Sequence, residues 1–322
     1  MENRPNLQIY ALGGTIAMVP AATPGVHPTL TADDLLAAAP ELSAFAQVSA
    51  ETLLNKGSAN ISFDEVAMVC RKVAQSDCDG FVVTQGTDTM EETSFLASLL
   101  HQGKQPIVFT GAMRSPTQPG ADGKANLVAA ALTAVADKTP SVAVVMNDEV
   151  HHPFYVTKAH TSNVAAFQSV VRGPIGQIAE NNVFLHPFQN HPTFDTPDGF
   201  APIALLTALL DDDGRMFDHI LDAGYKGLVI EGFGAGHVSE QIADKLADIA
   251  KSIPVILSSR VRAGVVFEKT YGYRGAEMDL LSRGLVPAGR LSGRKARILL
   301  SLLVSLYGEG WQQEFSNVVK HV

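Results

Sequence analysis

Four short runs constrain this 322-residue chain more than any other feature: "LQIYAL" (7–12), "GFVVTQG" (80–86), "PIVFTGA" (106–112) and "SVAVVMND" (141–148). Each is apolar, rich in β-branched residues and unbroken by charge within the run. A strand with one wet face would alternate polar and apolar positions; continuous apolarity marks strands covered on both faces. Helical patterns lie between them: "TADDLLAAAP" (31–40), "SFDEVAMVCRKVAQS" (62–76), "TMEETSFLASLL" (89–100) and "DGKANLVAAALTAVAD" (122–137). The first three open on Thr or Ser and the fourth on Asp122, all suitable N-caps. "SFDE" also sets Glu65 three residues after Ser62, the spacing of a capping box. Strand–helix repetition of this kind predicts a parallel sheet with helices on both faces.

The pattern stops at "PFQNHPTFDTPDGFAP" (187–202), which is rich in Pro, Asp, Asn and Gly and has no period. It resumes with "IALLTALL", "MFDHILDAG", "GLVIEGFGAG", "SEQIADKLADIAKS", "PVILSSRV" and "KARILLSLLVSLY". The expected organisation is an N-terminal α/β domain over 1–187, a linker over 188–201, and a smaller C-terminal α/β domain over 202–322. The net charge of −9 argues against nucleic acid or an anionic membrane as partner, since phosphate binding needs clustered Lys and Arg. "MENRPNLQIY" holds no secretory core, and no apolar run approaches membrane-spanning length. The two cysteines, Cys70 and Cys78, are expected to point apart and stay reduced, which with the missing export signal reads as cytoplasmic.

In open parallel sheets ligands sit beyond the carboxyl ends of the strands, so the residues just after each run carry the chemistry. After the first come Gly13-Gly14-Thr15; after the second, Gly86-Thr87-Asp88-Thr89 opening a helix; after the third, Gly111-Ala112-Met113-Arg114. Glycines let backbone and ligand approach, and a helix N-terminus suits an anion or a developing oxyanion. Two threonines and an aspartate at one edge suit a hydroxyl nucleophile. A plainer reading stands beside each: Thr15 as the cap of a tight turn, and Thr87-Asp88 as an N-cap. "ALGGTIAM" lacks the spacing of a dinucleotide fingerprint. His151-His152 beside Asp148 and Glu149 resembles a metal cluster, but neighbours on an extended chain face opposite ways, so a turn or surface pair is expected. Arg114 is read as a structural residue of its loop.

"GGTIA" (13–17), "TQGTDTMEET" (84–93), "TGAMR" with "ADGKANL" (110–127), "VMNDEV" (145–150), "VTKAH" (156–160) and "SSRV" (258–261) together resemble the bacterial-type L-asparaginase family, in order and over nearly the whole chain. The resemblance implies a flavodoxin-like N-terminal domain with a parallel sheet, a smaller α/β domain, and hydrolysis of L-asparagine to aspartate and ammonia without metal or cofactor. It implies a homotetramer built as a dimer of dimers. It assigns Thr15 as the nucleophile and Thr87, Asp88 and Lys158 as a second catalytic group. Ser58, Thr87 and Asp88 would bind substrate, with Glu277 reaching from the partner subunit toward its ammonium. Lys158 would act as the base if desolvation lets it shed a proton. By default these last positions also have ordinary readings: a surface lysine, a turn serine, a solvent-facing glutamate.

The chain departs from the family at three places. Many members carry a tyrosine in the segment after the first strand, but "MVPAATPGVHPTLT" (18–31) has none. Tyr271 or Tyr273, in "FEKTYGYRGAEMD", is a candidate replacement, and His27 a weaker one. Ala59, Ala235 and His237 stand where amide side chains are common, which predicts asparagine over glutamine with modest affinity. Competing readings are a broader glutaminase-asparaginase and an amino-acid-binding sensor that lost turnover. The archaeal transamidation subunit is disfavoured because neither an extra N-terminal domain nor a basic surface for tRNA is evident.

Overall fold

The structure is a computed structural model that describes residues 4–14, 16, 18–20, 26–28, 31–189 and 191–320; for 18–20 and 26–28 only the backbone is described. The chain divides into two compact units, 1–194 and 195–322.

In the first unit the strands are β1 (Asn6–Ala11), β2 (Met18–Pro20), β3 (Val26–Pro28), β4 (Gln47–Thr52), β5 (Gly80–Thr84), β6 (Ile107–Thr110), β7 (Val142–Met146), β8 (Glu149–His151), β9 (Val156–Lys158), β10 (Phe167–Ser169), β11 (Gly176–Ala179) and β12 (Asn182–Leu185). The helices are α1 (Ala32–Ala38), α2 (Phe63–Ala74), α3 (Met90–Leu100) and α4 (Gly123–Ala134). Eight strands form one sheet in the order β12-β11-β8-β7-β6-β5-β1-β4. Pairs among β4, β1, β5, β6 and β7 are parallel, as the buried runs predict. The pairs β7/β8, β8/β11 and β11/β12 are antiparallel, so the sheet is mixed rather than wholly parallel. The reversal follows from a two-residue turn: Asn147 and Asp148 both have positive φ, +52° and +59°, the geometry of a tight hairpin that Asn and Asp tolerate.

Every residue of β5, β6 and β7 is buried. Their side chains alternate between a layer holding Ile9, Val82, Val108 and Ala143 with α4 and the opposite face, where Phe81, Val83 and Phe109 lie. The edge strand β4 is largely exposed or half-buried. The predicted capping box forms, Ser62 with Glu65 opening α2, and the Thr31 cap of α1 is completed by Asp34 into a second one. Asp122 occupies the N-cap position of α4 without capping it through its side chain. Its carboxylate instead accepts the N–H groups of Met113 and Arg114 at 2.9–3.1 Å, folding the loop after β6. Arg114 closes that loop by donating to the carbonyls of Pro119 and Gly120.

The second unit holds β13 (Ile203–Thr207), β14 (Gly227–Gly232), β15 (Val255–Ser259) and β16 (Val286–Pro287), all parallel in that order, with α5 (Glu240–Ala250), α6 (Glu277–Ser282), α7 (Gly293–Tyr307) and α8 (Trp311–Val319). "MFDHILDAG" contributes only a 3₁₀ turn at Phe217–His219; Gly214 and Gly224, both at positive φ, flank it. Cys70 is buried and Cys78 half-buried, and both are free thiols. Burial pushes the Cys70 thiol up to about 12, so it stays a neutral, unreactive core residue. No helix among the described residues is long and apolar enough to cross a membrane.

Candidate active site

The strand order changes direction at β1: β4 lies on one side of it and β5 on the other, so the loops after β1 and β5 leave the sheet side by side at its switch point, the position where open α/β sheets form their binding crevice. Those loops carry the glycines. Gly13 and Gly14 have φ of +104° and +89°, which side chains rarely adopt. Space forbids a side chain as well. A Cβ on Gly14 would lie 2.1 Å from the backbone nitrogen of Gly86, and one on Gly13 would lie 2.6 Å from the carbonyl oxygen of Lys56. A Cβ on Gly86 would lie 2.8 Å from Ser58 Oγ. Three loops, 12–14, 56–58 and 85–87, therefore meet backbone against backbone. Thr15 itself lies outside the described residues, as does most of the segment after it; its neighbours Gly14 and Ile16 are buried.

Thr87 begins a 3₁₀ turn, Thr87–Thr89, that leads straight into α3. It is buried, and its Oγ1 receives a hydrogen bond from Lys158 Nζ at 2.8 Å. The same ammonium contacts Asp88 Oδ1 at 2.6 Å. Lys158 thus sits 15% exposed at the end of β9, 71 residues from Thr87 in sequence and in contact with it. Asp88 is the open member, its side chain 74% exposed. Ser58 is buried, and its Oγ has no hydrogen-bond partner among the described residues. A buried hydroxyl left unpaired costs about 1–3 kcal/mol, so this atom is a ready donor for an anionic group brought to the crevice. Thr89 ties the two loops together by donating to the Ser58 carbonyl at 3.0 Å.

Sequence reasoning passed over the groups that brace this cluster. Glu91 is buried in α3, and its Oε2 accepts the backbone N–H of Lys158 at 3.1 Å, holding the end of β9 against the helix. Buried Gln85 accepts from Thr93 Oγ1 at 2.9 Å and donates to the Gly86 carbonyl at 3.2 Å. Asn126 donates to the Gly111 carbonyl and to Asp122, both at 3.0 Å, and accepts from the Asn147 N–H at 2.9 Å. The one readable signal was a carboxylate, Glu91, in a helix whose residues are nearly all buried.

The histidine pair is buried and not on the surface as expected: His151 is 0% and His152 5% exposed. They do face different neighbours. His151 Nδ1 lies 3.1 Å from Ser169 Oγ, while His152 packs among Phe154, Tyr155, Phe188 and His191. Burial pulls the His151 imidazole down to about 4. Among the described residues no group of three or more His, Cys, Asp or Glu could hold a metal ion.

In the second unit, Glu277 opens α6 and is wholly buried. Its Oε1 accepts the N–H groups of Thr270 and Tyr271 at 2.8 and 2.7 Å, and its Oε2 lies 3.1 Å from His237 Nε2. Burial alone raises a carboxyl; here the two backbone donors and the imidazole outweigh it and hold Glu277 below its usual range.

A mixed α/β sheet with glycine-built loops at its switch point, and beside them a hydroxyl–amine–carboxylate cluster, are features of an α/β enzyme that works through side-chain hydroxyls; a parallel α/β unit follows in the chain. Family comparison agrees: residues 6–190 match the asparaginase N-terminal domain, and 202–313 the glutaminase/asparaginase C-terminal domain. The chain belongs to the asparaginase family. It is 36% identical to L-asparaginase 2 of Escherichia coli (strain K12) over 323 residues, covering 94% of this chain and 89% of that one. It is 32% identical to a glutamyl-tRNA(Gln) amidotransferase component from Methanosarcina barkeri (strain Fusaro / DSM 804), covering 98% of this chain and 77% of that one. The crystal structure of a probable cytoplasmic L-asparaginase from Campylobacter jejuni superposes with a TM-score of 0.87 at 30% identity, covering 98% of this chain and all of that one.

Proposed function

We propose that this protein hydrolyses L-asparagine to L-aspartate and ammonia through an acyl-enzyme on Thr15, with asparagine preferred over glutamine. The observation that carries the reading is the Lys158–Thr87–Asp88 cluster, held at hydrogen-bond distance beside the unpaired Ser58 hydroxyl. A threonine hydroxyl is a weak nucleophile until a neighbour takes its proton. Thr15 Oγ attacks the side-chain amide carbon, ammonia leaves, and a β-aspartyl ester remains. Thr87, in contact with Lys158, then directs a water to that ester, and Thr15 departs with its proton restored. Backbone N–H groups at the start of α3 face the developing oxyanion, where one well-aimed donor is worth about 3 kcal/mol of barrier. Ser58 holds the substrate's α-carboxylate and Asp88 its α-ammonium.

Glu277 supplies a negative charge from a partner subunit, in a homotetramer of two dimers. The second unit exposes Leu209, Leu210, Met216, Leu221, Phe267 and Tyr273, apolar surface that association of copies would cover. The protein works in the cytoplasm. The test is ammonia release from L-asparagine, L-glutamine and D-asparagine, with Thr15→Ala as control. Release from L-asparagine that vanishes in the control supports the hydrolase; tight binding of L-asparagine without release would assign a sensor, and equal specificity constants for both L-amides would remove the stated preference.

A further inference from the structure

The turn that presents Ser58 has little of its own to hold it. It is a single 3₁₀ turn, Ser58–Asn60, and Gly57 before it has no side chain with which to cap it. Two backbone hydrogen bonds close the turn: Asn60 N–H to the Gly57 carbonyl at 3.0 Å, and Ile61 N–H to the Ser58 carbonyl at 3.1 Å. A lone 3₁₀ turn has poor hydrogen-bond geometry and no neighbouring turn to support it. Ser58 Oγ nevertheless sits buried in a set place, where a Cβ on Gly86 would come within 2.8 Å of it. Ala59 adds no polar group beside it. Something outside the turn fixes the hydroxyl.

Lys56 supplies that hold. Its Nζ donates to the Asn60 carbonyl at 3.0 Å, so a residue at the entry of the turn grips its exit. The same ammonium pairs with Glu65 Oε1 at 2.6 Å. Glu65 is fixed in turn by the start of α2: its Oε2 accepts the Ser62 N–H at 2.8 Å, and its own N–H donates to Ser62 Oγ at 3.3 Å. Burial raises the Glu65 carboxyl, but the bonds from Lys56 and Ser62 outweigh it and hold it below its usual range. The Lys56 backbone is set as well, donating its N–H to the Leu12 carbonyl at 3.3 Å and lying directly against Gly13. A pair that only steadied the end of α2 would explain the contact with Glu65. It would not explain the second bond of the ammonium, to a carbonyl two residues beyond Ser58. Partly exposed lysine–carboxylate pairs add little to global stability, and these side chains are 32% and 23% exposed, so what this pair fixes is local.

We propose that Lys56 is a positioning residue for substrate recognition: by clamping the Ser58 turn from entry to exit, it sets the affinity for the substrate's α-carboxylate without entering the chemistry. This assignment rests on the hydrolase reading above, with Ser58 as the donor to that carboxylate. Lys56 itself does not reach the substrate, because its ammonium is occupied by Asn60 and Glu65. Without the clamp the turn has to be ordered afresh each time a carboxylate binds, and that ordering weakens affinity. The loss falls on ground state and transition state alike, since the carboxylate is bound in both. Thr87, Asp88 and Lys158 keep their places, being held by one another and by Glu91.

The test is a double-mutant cycle of Lys56→Met and Ser58→Ala in the full-length protein, with Lys56→Arg as the conservative replacement. Ammonia release gives kcat and KM for L-asparagine, calorimetry gives L-aspartate binding, and thermal melting reports folding. Lys56→Met keeps the stem and removes the ammonium. It is expected to raise KM about 10-fold and to weaken L-aspartate binding equally, with kcat within about twofold of wild type. Lys56→Arg restores donors for the Asn60 carbonyl and Glu65 and returns KM toward the wild-type value. In the Ser58→Ala background, Lys56→Met changes KM no further, because the hydroxyl it places is gone. Glu65→Gln, which keeps an acceptor for the Ser62 N–H but withdraws the anion, moves KM in the same direction and decides the matter if Lys56→Met fails to fold. A Lys56→Met enzyme with the wild-type KM, or an effect that persists in full without the Ser58 hydroxyl, overturns the assignment and leaves the hydrolase reading intact. A wild-type protein that releases no more ammonia than Thr15→Ala overturns both.

Discussion

Single side chains around the crevice divide cleanly by what their removal exposes. Ser58→Ala deletes a buried hydroxyl that nothing in the described structure satisfies, so folding gains or holds while substrate loses a donor to its carboxylate. KM is expected to rise with kcat nearly constant, by an amount near the 1.5–3 kcal/mol of a charge-assisted bond, or about 10–150-fold, read from steady-state ammonia release. Glu91→Ala acts the other way. It strips the acceptor from the Lys158 N–H, so stability falls by about 1–3 kcal/mol and kcat falls with it as Lys158 drifts from Thr87. His151 gives a pH signature. Its imidazole titrates near 6.5 when unfolded and at about 4 when buried, so the unfolded chain binds the proton first. Its share of stability is therefore complete above pH 6.5, is lost as pH falls, and is fully gone below about 4. The loss amounts to about 3 kcal/mol. Denaturant melts of wild type and His151→Asn should differ in acid sensitivity across that window alone.

At the scale of elements, the loops matter more than the helices they connect. Gly14→Ala drives a methyl into the backbone of Gln85 and Gly86 at a positive φ, so it should cost about 1–3 kcal/mol or more and abolish turnover together. Ser62→Ala, at the α2 capping box, should cost about 1 kcal/mol in the same melts and leave turnover intact. The contrast checks that the glycine contact positions the site. It also shows what a sequence reader could and could not see. β5, β6 and β7 were legible because both faces are covered, and a doubly buried strand has no reason to carry charge. β4, "QVSAET", was not, because an edge strand exposed to water reads like a loop. The antiparallel arm β8, β11 and β12 hangs on the Asn147-Asp148 turn, a hairpin signal that the surrounding α/β rhythm masked. The threonine loops were readable from their glycines. Lys158 was found only through family likeness, since 71 residues separate it from the hydroxyl it touches. Glu91 and Asn126 act through backbone groups of distant residues, and such pairings leave no local pattern in a sequence.

For the whole molecule, assembly is the open variable and the exposed apolar side chains make it testable. Leu210 is 92% exposed, and Leu210→Lys should leave the fold of the single chain unchanged while lowering the mass seen by light scattering after gel filtration. The meeting of loops 12–14, 56–58 and 85–87 bears on selectivity at this scale too. With those backbones packed together, the spacing of the loops that carry Ser58 and Thr87, to which the proposed mechanism gives the substrate's carboxylate and the hydrolytic water, works as a rigid gauge. A homologous amide one methylene longer would have to bend to fit it, and directed evolution toward such a compound would find its gains outside these three loops.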